Sequence, residues 1–325
     1  MIVTVTLNPS LDRTLSLDEP LTRGAVHRLI PVSTEPGGKG VNVSRALTQN
    51  GVDTVALLPA ADHDPILAEL RTRGVSFYNV DIPGTVRSNL TITENDGTTT
   101  KLNEPGAHLD NGALTALTAV VCDYAARATW VVLSGSLPPG VPDGWYADIV
   151  AQLAELPCRV AVDTSERPLT ALADGFATAA PDLIKPNAEE LAWLTGRSAH
   201  ELEEAAAQGD PLPVISAAQQ LVTRGAHTVL VTLGGAGAVL VDHDGVWTAT
   251  APSIVPRSTV GAGDASLAGY LAATIAGAPP AQQLQTAVAY GSAAASLPGS
   301  ALPTPEQIDV KAVRVQAVTS ATAPL

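Results

Sequence analysis

Short apolar runs that end in small or polar residues, with helix-like stretches between them, constrain this chain more than any other feature. They are IVTVTL (2–7), DTVALL (53–58), WVVLSG (130–135), RVAVDT (159–164), DLIKPN (182–187) and TVLVTLG (228–234). Residues 110–127, 142–155 and 213–224 carry the helical spacing. Runs this apolar leave no polar face for water. The alternation therefore predicts an α/β protein in three layers, α/β/α, with a mostly parallel central sheet covered on both faces. At 325 residues the chain is long enough to bury such a core.

Two regions break the rhythm. Residues 11–36 and 86–104 are polar, alternating and poor in helix signals, and NLTITENDGTTTKLN (89–103) reads as a hairpin turning near Asn95-Asp96-Gly97. They predict either a small β lid made of two separated insertions or two ordinary surface hairpins. A few strands cannot bury both faces alone, so a lid should close over a ligand, pair with a second subunit, or do both. The main domain is then 1–10, 37–85 and 105–310, the lid is 11–36 and 86–104, and 311–325, ending TSATAPL, is a loosely held C-terminal tail.

A formal net charge of -14 argues against the broad basic face that nucleic acid or an anionic membrane requires. An anionic ligand must find a local basic pocket instead. Only Lys39, Lys101, Lys185 and Lys311 are lysines, and the first three fall in the segments singled out below. The start, MIVTVTLNPSLDRT, lacks the basic opening and long apolar run of a signal peptide, and no stretch reaches transmembrane length. Cys122 and Cys158 read as reduced core residues, and a cytoplasmic protein is expected.

In STVGAGDASLAGYLAATIAG (258–277), Gly261, Ala262 and Gly263 run into Asp264 and a helix. An acid in a first helical turn is favoured by the macrodipole alone. The same turn can cradle a phosphate on backbone N–H groups, with Asp264 accepting the proton of an attacking hydroxyl. The two roles are compatible, and the dipole is expected to hold the Asp264 pKa down. In EPGGKGVNVSRALTQNG (35–51), Gly37, Gly38 and Gly40 surround Lys39 ahead of a helix, a diglycine hinge with Lys39 and Asn42 turned to a cleft. Arg87 and Lys101 flank the Asp96-Gly97 turn, so strand pairing is expected to bring both cations to one end. With Lys39 they form a site for a phosphate dianion; alone they are solvated edge charges.

IKPNAEELAWLTG (184–196) places Asn187 before a helix with Glu189 and Glu190 in its first turn. That is the spacing of a capping box. It also suits Asn187 and Glu190 holding the water shell of Mg2+, with Lys185 near nucleotide phosphates. VTLGGAGAVLV (231–241) reads as strand, glycine turn and strand, suited to passing under a nucleotide, and LSGSLPPG (133–140) marks a strand's carboxyl end, where open α/β sheets bind ligands.

In this order, TLNPSLDRT, GGKGVNVSRAL, SGSLPPG, KPNAEEL and TVGAGDA resemble the ribokinase-like (PfkB-type) carbohydrate kinases, in their phosphosugar branch, over about residues 1–310. The resemblance implies the ribokinase-like fold and ATP-dependent phosphorylation of a sugar-phosphate hydroxyl, with Asp264 as base and the amides of Gly261, Ala262 and Gly263 as anion hole. It places Asp12 on the sugar hydroxyls, Gly38, Lys39, Asn42 and Ser136 in the sugar-phosphate site, and Arg87 and Lys101 as lid contacts to the substrate phosphate. Lys185, Asn187 and Glu190 would serve ATP and Mg2+, the metal through water; Thr232, Gly234 and Gly237 would line the nucleotide, and the adenine would lie near Ser292. A homodimer exchanging lid contacts is implied as well. The substrate expected is fructose 1-phosphate, with tagatose 6-phosphate or fructose 6-phosphate as alternatives. Outside that chemistry stand a neutral-sugar or nucleoside kinase and a non-catalytic sugar-phosphate or nucleotide sensor. In PAADHDPIL (59–67) the chain departs from many relatives, which carry a glycine-rich stretch there.

Overall fold

The structure, a computed structural model, describes residues 1–28, 30–96 and 98–318. Gly97 of the expected hairpin turn and the TSATAPL end of the expected tail lie outside the described residues. In chain order the strands are β1 (Ile2–Val5), β2 (Ser10–Ser16), β3 (Ile30–Gly37), β4 (Thr54–Pro59), β5 (Phe77–Val80), β6 (Arg87–Thr93), β7 (Thr99–Asn103), β8 (Trp130–Ser134), β9 (Arg159–Asp163), β10 (Leu183–Ile184), β11 (Thr228–Thr232), β12 (Ala238–Asp242), β13 (Val246–Thr250) and β14 (Arg314–Ala317). The helices are α1 (Lys39–Gln49), α2 (Pro65–Thr72), α3 (Asn111–Ala125), α4 (Trp145–Leu153), α5 (Glu166–Asp174), α6 (Ala188–Thr195), α7 (Ala199–Ala207), α8 (Leu212–Thr223), α9 (Ala262–Ile275) and α10 (Pro280–Ala295).

Among the described residues the large sheet has the order β14-β13-β12-β11-β10-β9-β8-β1-β4-β5. Neighbours from β5 through β11 pair in parallel, and β12, β13 and β14 add antiparallel partners at one edge. Alternation along each strand decides the layers, because successive side chains point to opposite faces. Val3, Val5, Val131, Leu133, Val160 and Val162 join the core formed with α3, α4, α5 and α8. Ile2, Trp130, Val132, Ala161 and Leu230 join the core on the other face, with α1, α9 and α10. Side chains of this size, fully buried, each contribute roughly 1.5–3 kcal/mol. That explains why the strands read as near-continuous apolar runs.

The run DLIKPN yields only two strand residues, Leu183 and Ile184. Pro186 lacks an N–H and cannot extend the ladder. Expected in a loose tail, Arg314–Ala317 instead pair antiparallel with β13 as the edge strand. The reason lies in the edge position: largely exposed RVQA needs no apolar run to satisfy its backbone.

A second sheet, β3-β2-β6-β7, takes its strands from residues 10–37 and 87–103. β2 pairs parallel with β6 and antiparallel with β3, setting Asp12 between Asn89 and Glu35. From β3 the chain enters α1 through Gly38, whose φ of 103° and whose approach to Thr6, 2.7 Å from where a Cβ would stand, admit only glycine. Buried hydroxyls seat α1 on the large sheet: Ser44 Oγ lies 2.9 Å from both Thr4 Oγ1 and Thr54 Oγ1.

Candidate active site

The carboxyl ends of β9, β10 and β11 open, together with the start of α1, onto a cleft of about 950 Å³ that the small sheet borders. This is the edge of a parallel sheet at which ligands collect, because the loops leaving the strands diverge there. At its floor Asp163, the last residue of β9, is fully buried between two ammonium groups. Lys39 Nζ stands 2.8 Å from Oδ1 and Lys185 Nζ 3.1 Å from Oδ2. Burial opposes the charge on Asp163, but Lys185 and Lys39 outweigh it and hold its pKa below the carboxylate range. Burial likewise works against the Lys39 charge, and Asp163, helped by Asp264 and Glu190, raises its pKa well above the lysine range. Both partners are therefore fixed in their charged forms.

Asp264 lies in the first turn of α9, behind Gly261, Ala262 and Gly263, and all four residues line the cleft. First-turn amides have no carbonyl within their own helix to bond, so their N–H groups can face an anion, the Ala262 N–H sharing its bond with the Thr259 carbonyl at 3.3 Å. Lys185 Nζ comes within 3.3 Å of where a Cβ on Gly263 would be, bringing the ammonium to the same turn. Asn42, on α1, donates Nδ2 to Asp264 Oδ2 at 2.9 Å. The expected depression of the Asp264 pKa is reversed. Burial, followed by the charge of Asp163, pushes it up to about 6 against the pull of Lys39, Asn42 and Lys185. Loss of water around a buried carboxylate outweighs the helix dipole.

At the other end of the cleft, Asp12 is held on Oδ1 by Ser10 Oγ at 2.8 Å and by Asn89 Nδ2 at 2.9 Å. Gly38 lines the wall beside it. Arg87, at the first position of β6, lines the same end and donates Nη2 to the carbonyl of Asn8 at 3.1 Å. Lys101 does not join it: the register pairs Lys101 with Thr91, so the lysine stands four residues further along the sheet, exposed and outside the cleft. Four strand residues span about 13 Å, so both cations cannot sit at one end. Ser136 is also outside the cleft lining, where its Oγ accepts from Asn8 Nδ2 at 3.2 Å.

On the far wall Asn187 and Glu190 form a complete capping box, Glu190 N–H to Asn187 Oδ1 at 2.8 Å and Asn187 N–H to Glu190 Oε2 at 2.9 Å. Both residues line the cleft as well, so capping and ligand binding do not compete for position. Burial, the largest influence, raises the Glu190 pKa despite Lys39. Thr232 bridges to Asn187 in parallel fashion, and Gly234, Gly237 and Ser292 continue the wall with Ile254 and Pro256.

The profile of the pfkB family carbohydrate kinases matches residues 5–307. The chain belongs to that family. It is 37% identical over 284 residues to the 1-phosphofructokinase of Xanthomonas campestris pv. campestris, covering 86% of each chain. Phosphofructokinase-2 from Escherichia coli, solved in complex with potassium, superposes with a TM-score of 0.85 at 30% identity over 94% of this chain and 96% of its own. Ribokinase from Thermotoga maritima, 18% identical, shares the fold alone, with a TM-score of 0.71 over 94% and 97% of the two chains. A pfkB carbohydrate kinase is a phosphotransferase with ATP as its co-substrate, on a ribokinase-like fold.

Two cleft residues of this family member escape a reading of its motifs. Asp163 belongs to no glycine-rich or lysine-bearing segment; its signal is a lone carboxylate closing an apolar parallel strand, at the end where ligands bind. Asn89 is signalled by the two-residue period of a strand, which puts it on the face of Arg87. Among the described residues no helix is long and apolar enough to cross a membrane.

Proposed function

We propose that this pfkB kinase transfers the γ-phosphoryl group of ATP to fructose 1-phosphate, giving fructose 1,6-bisphosphate and ADP. The observation that carries the reading is Asp264 buried at the start of α9, in one cleft with Lys39, Lys185, Asp12 and Arg87. The name of the Xanthomonas relative supports the substrate. Asp12, oriented by Ser10 and Asn89, takes the sugar hydroxyls, Gly38, Lys39 and Asn42 line the sugar-phosphate site, and Arg87 takes the substrate phosphate. Asp264 accepts the proton of the attacking hydroxyl as the new bond forms, and the amides of Gly261, Ala262 and Gly263 hold the equatorial oxygens of the moving group.

Nucleotide binding falls to Lys185, Asn187, Thr232, Gly234, Gly237 and Ser292. Glu190 fits a hard cation, because one carboxylate oxygen is spent on the Asn187 amide and the other remains as an oxygen ligand at the cleft. Mg2+ bound there through water, with Asn187, would offset charge on the phosphates. The small sheet acts as a lid that excludes water, which would otherwise hydrolyse ATP. Its exposed edge, with Leu102 half in solvent, takes a second copy of this chain as a homodimer in the cytoplasm; Lys101 would contact substrate phosphate only after such closure or exchange.

The test is ADP release from Mg·ATP, comparing kcat/KM for fructose 1-phosphate, fructose 6-phosphate, tagatose 6-phosphate, fructose and ribose. Preference for fructose 1-phosphate supports the full reading. Preference for a 6-phosphate keeps the mechanism and changes the substrate. Turnover of unphosphorylated sugars alone overturns the roles given to Arg87 and Lys39, and no turnover of any favours a sensor.

A further inference from the structure

Arg45 is a buried cation that none of the chemistry above employs. It lies two turns into α1, only 8% exposed. Its Nη1 donates to the carbonyl of Pro36 at 3.0 Å and to Asn42 Oδ1 at 3.2 Å, and its Nη2 donates to Glu35. Glu35 also accepts from Ser300 Oγ at 3.3 Å. Glu35 and Pro36 are the last residues of β3 before the diglycine. A continuous line of hydrogen bonds thus runs from the small sheet through Arg45 and Asn42 to Asp264.

We propose that Arg45 is a positioning residue which locks the Asn42 carboxamide with its nitrogen toward Asp264 and ties that lock to the end of β3. The inference rests on Asp264 being the base. A guanidinium can only donate, so the amide oxygen must face Arg45 and the NH2 must face the carboxylate. An amide that cannot turn can only donate to Asp264, which favours the ionised form that a base requires. Freed from Arg45, the amide can rotate and present its oxygen to a protonated Asp264. The same contact then favours the inactive form.

The other charges around Asp264 are Asp163 at the end of β9, Lys39 on α1 and Lys185 after β10. None of these can reverse the sense of a hydrogen bond as an amide can. Around Arg45 stand Glu35 on β3, Asp12 on β2 and Arg73 at the end of α2. Glu35 offsets the burial of the guanidinium, so removing Arg45 alone would strand a carboxylate.

The experiment pairs Arg45→Met with Glu35→Gln, leaving no charge unmatched, and runs Arg45→Lys beside it, which keeps the charge but not the fork. Steady-state rates with Mg·ATP and fructose 1-phosphate are taken across the pH range, with thermal unfolding as control. In the double variant the acid limb of kcat should move up by about one pH unit, the size of one charge-assisted hydrogen bond. Activity should recover on the alkaline side, and KM for ATP should stay within about twofold, since uniform binding is untouched. Arg45→Lys, whose ammonium can also only donate and so still holds the amide oxygen, should leave the limb in place, and Arg45→Gln with Glu35→Gln, which frees the amide, serves if the first double variant does not fold. A kcat lowered equally at every pH, or a loss confined to KM, overturns the proposal. If Asp264→Asn is inactive while the acid limb stays in place, only the role of Arg45 fails. Near-normal turnover by Asp264→Asn would remove the base itself, and this inference with it.

Discussion

Lys185 Nζ meets Asp163 Oδ2 at 3.1 Å, an ion pair whose side chains are 5% and 0% exposed. A pair this buried is costly to assemble, and its Coulomb energy does little more than offset desolvation. Its value lies in placement. Asp163 gathers Lys39 and Lys185 at the carboxyl end of β9, a local concentration of positive charge in an otherwise acidic protein that suits the phosphates of the proposed substrates.

Breaking the pair should therefore cost far more than the pair itself contributes. Lys185→Met leaves Asp163 buried against Lys39 alone, and urea unfolding should show a loss of about 3 kcal/mol. Adding Asp163→Asn should deepen the loss, because Lys39 then stands without its carboxylate partner, and ATP affinity, measured by calorimetry, should stay low in both.

Asp264→Asn should fold normally and bind ATP, with kcat down by about 10³-fold. Single-turnover kinetics beside a binding isotherm separate the two effects. Retained turnover would return Asp264 to a helix-capping role.

The raised pKa of Asp264, about 6, predicts that kcat climbs as pH rises through that value, because the base must be ionised. Stability runs the other way. A carboxyl that holds its proton more tightly when folded contributes most below its ordinary pKa of 3.8, and that contribution is lost as pH rises through about 6. Asp163, depressed, has the opposite sign, and its stabilisation is lost as pH falls toward its folded value. Denaturation of wild type and Asp264→Asn at about pH 4.5 and pH 7.5 should isolate the first trend, a change of about 2 kcal/mol in their difference.

Arg87→Ala should raise KM for the sugar phosphate by about 10²-fold with a small change in kcat, as loss of a charge-assisted contact implies. Lys101→Ala, altering a residue outside the cleft, should raise it less. Equal effects would show that the small sheet closes, or exchanges with a second copy, far enough to bring Lys101 onto the phosphate.

The layered fold was legible because strands buried on both faces cannot hide their composition: RVAVDT and WVVLSG declare themselves. RVQA at the edge declares nothing, since one face and one side of its backbone meet solvent. Glycines and lysines at fixed spacing likewise point to one region from the sequence alone. Lys101 went astray because the register of β6 with β7, not proximity in sequence, decides which residues share an end. The Asp264 pKa went astray because a helix start is visible in sequence while the burial of its carboxylate by α1, β9 and the Lys185 loop is not. Asp163 carried no motif at all.

The hydrogen bonds that assemble the cleft span 124 residues from Lys39 to Asp163 and 222 from Asn42 to Asp264. Contacts of that range carry a high loop-closure entropy and slow folding. A chain still emerging from the ribosome carries Asp12 and Arg87 long before α9 delivers the carboxylate. The cleft is therefore complete only when the last fifth of the sequence docks.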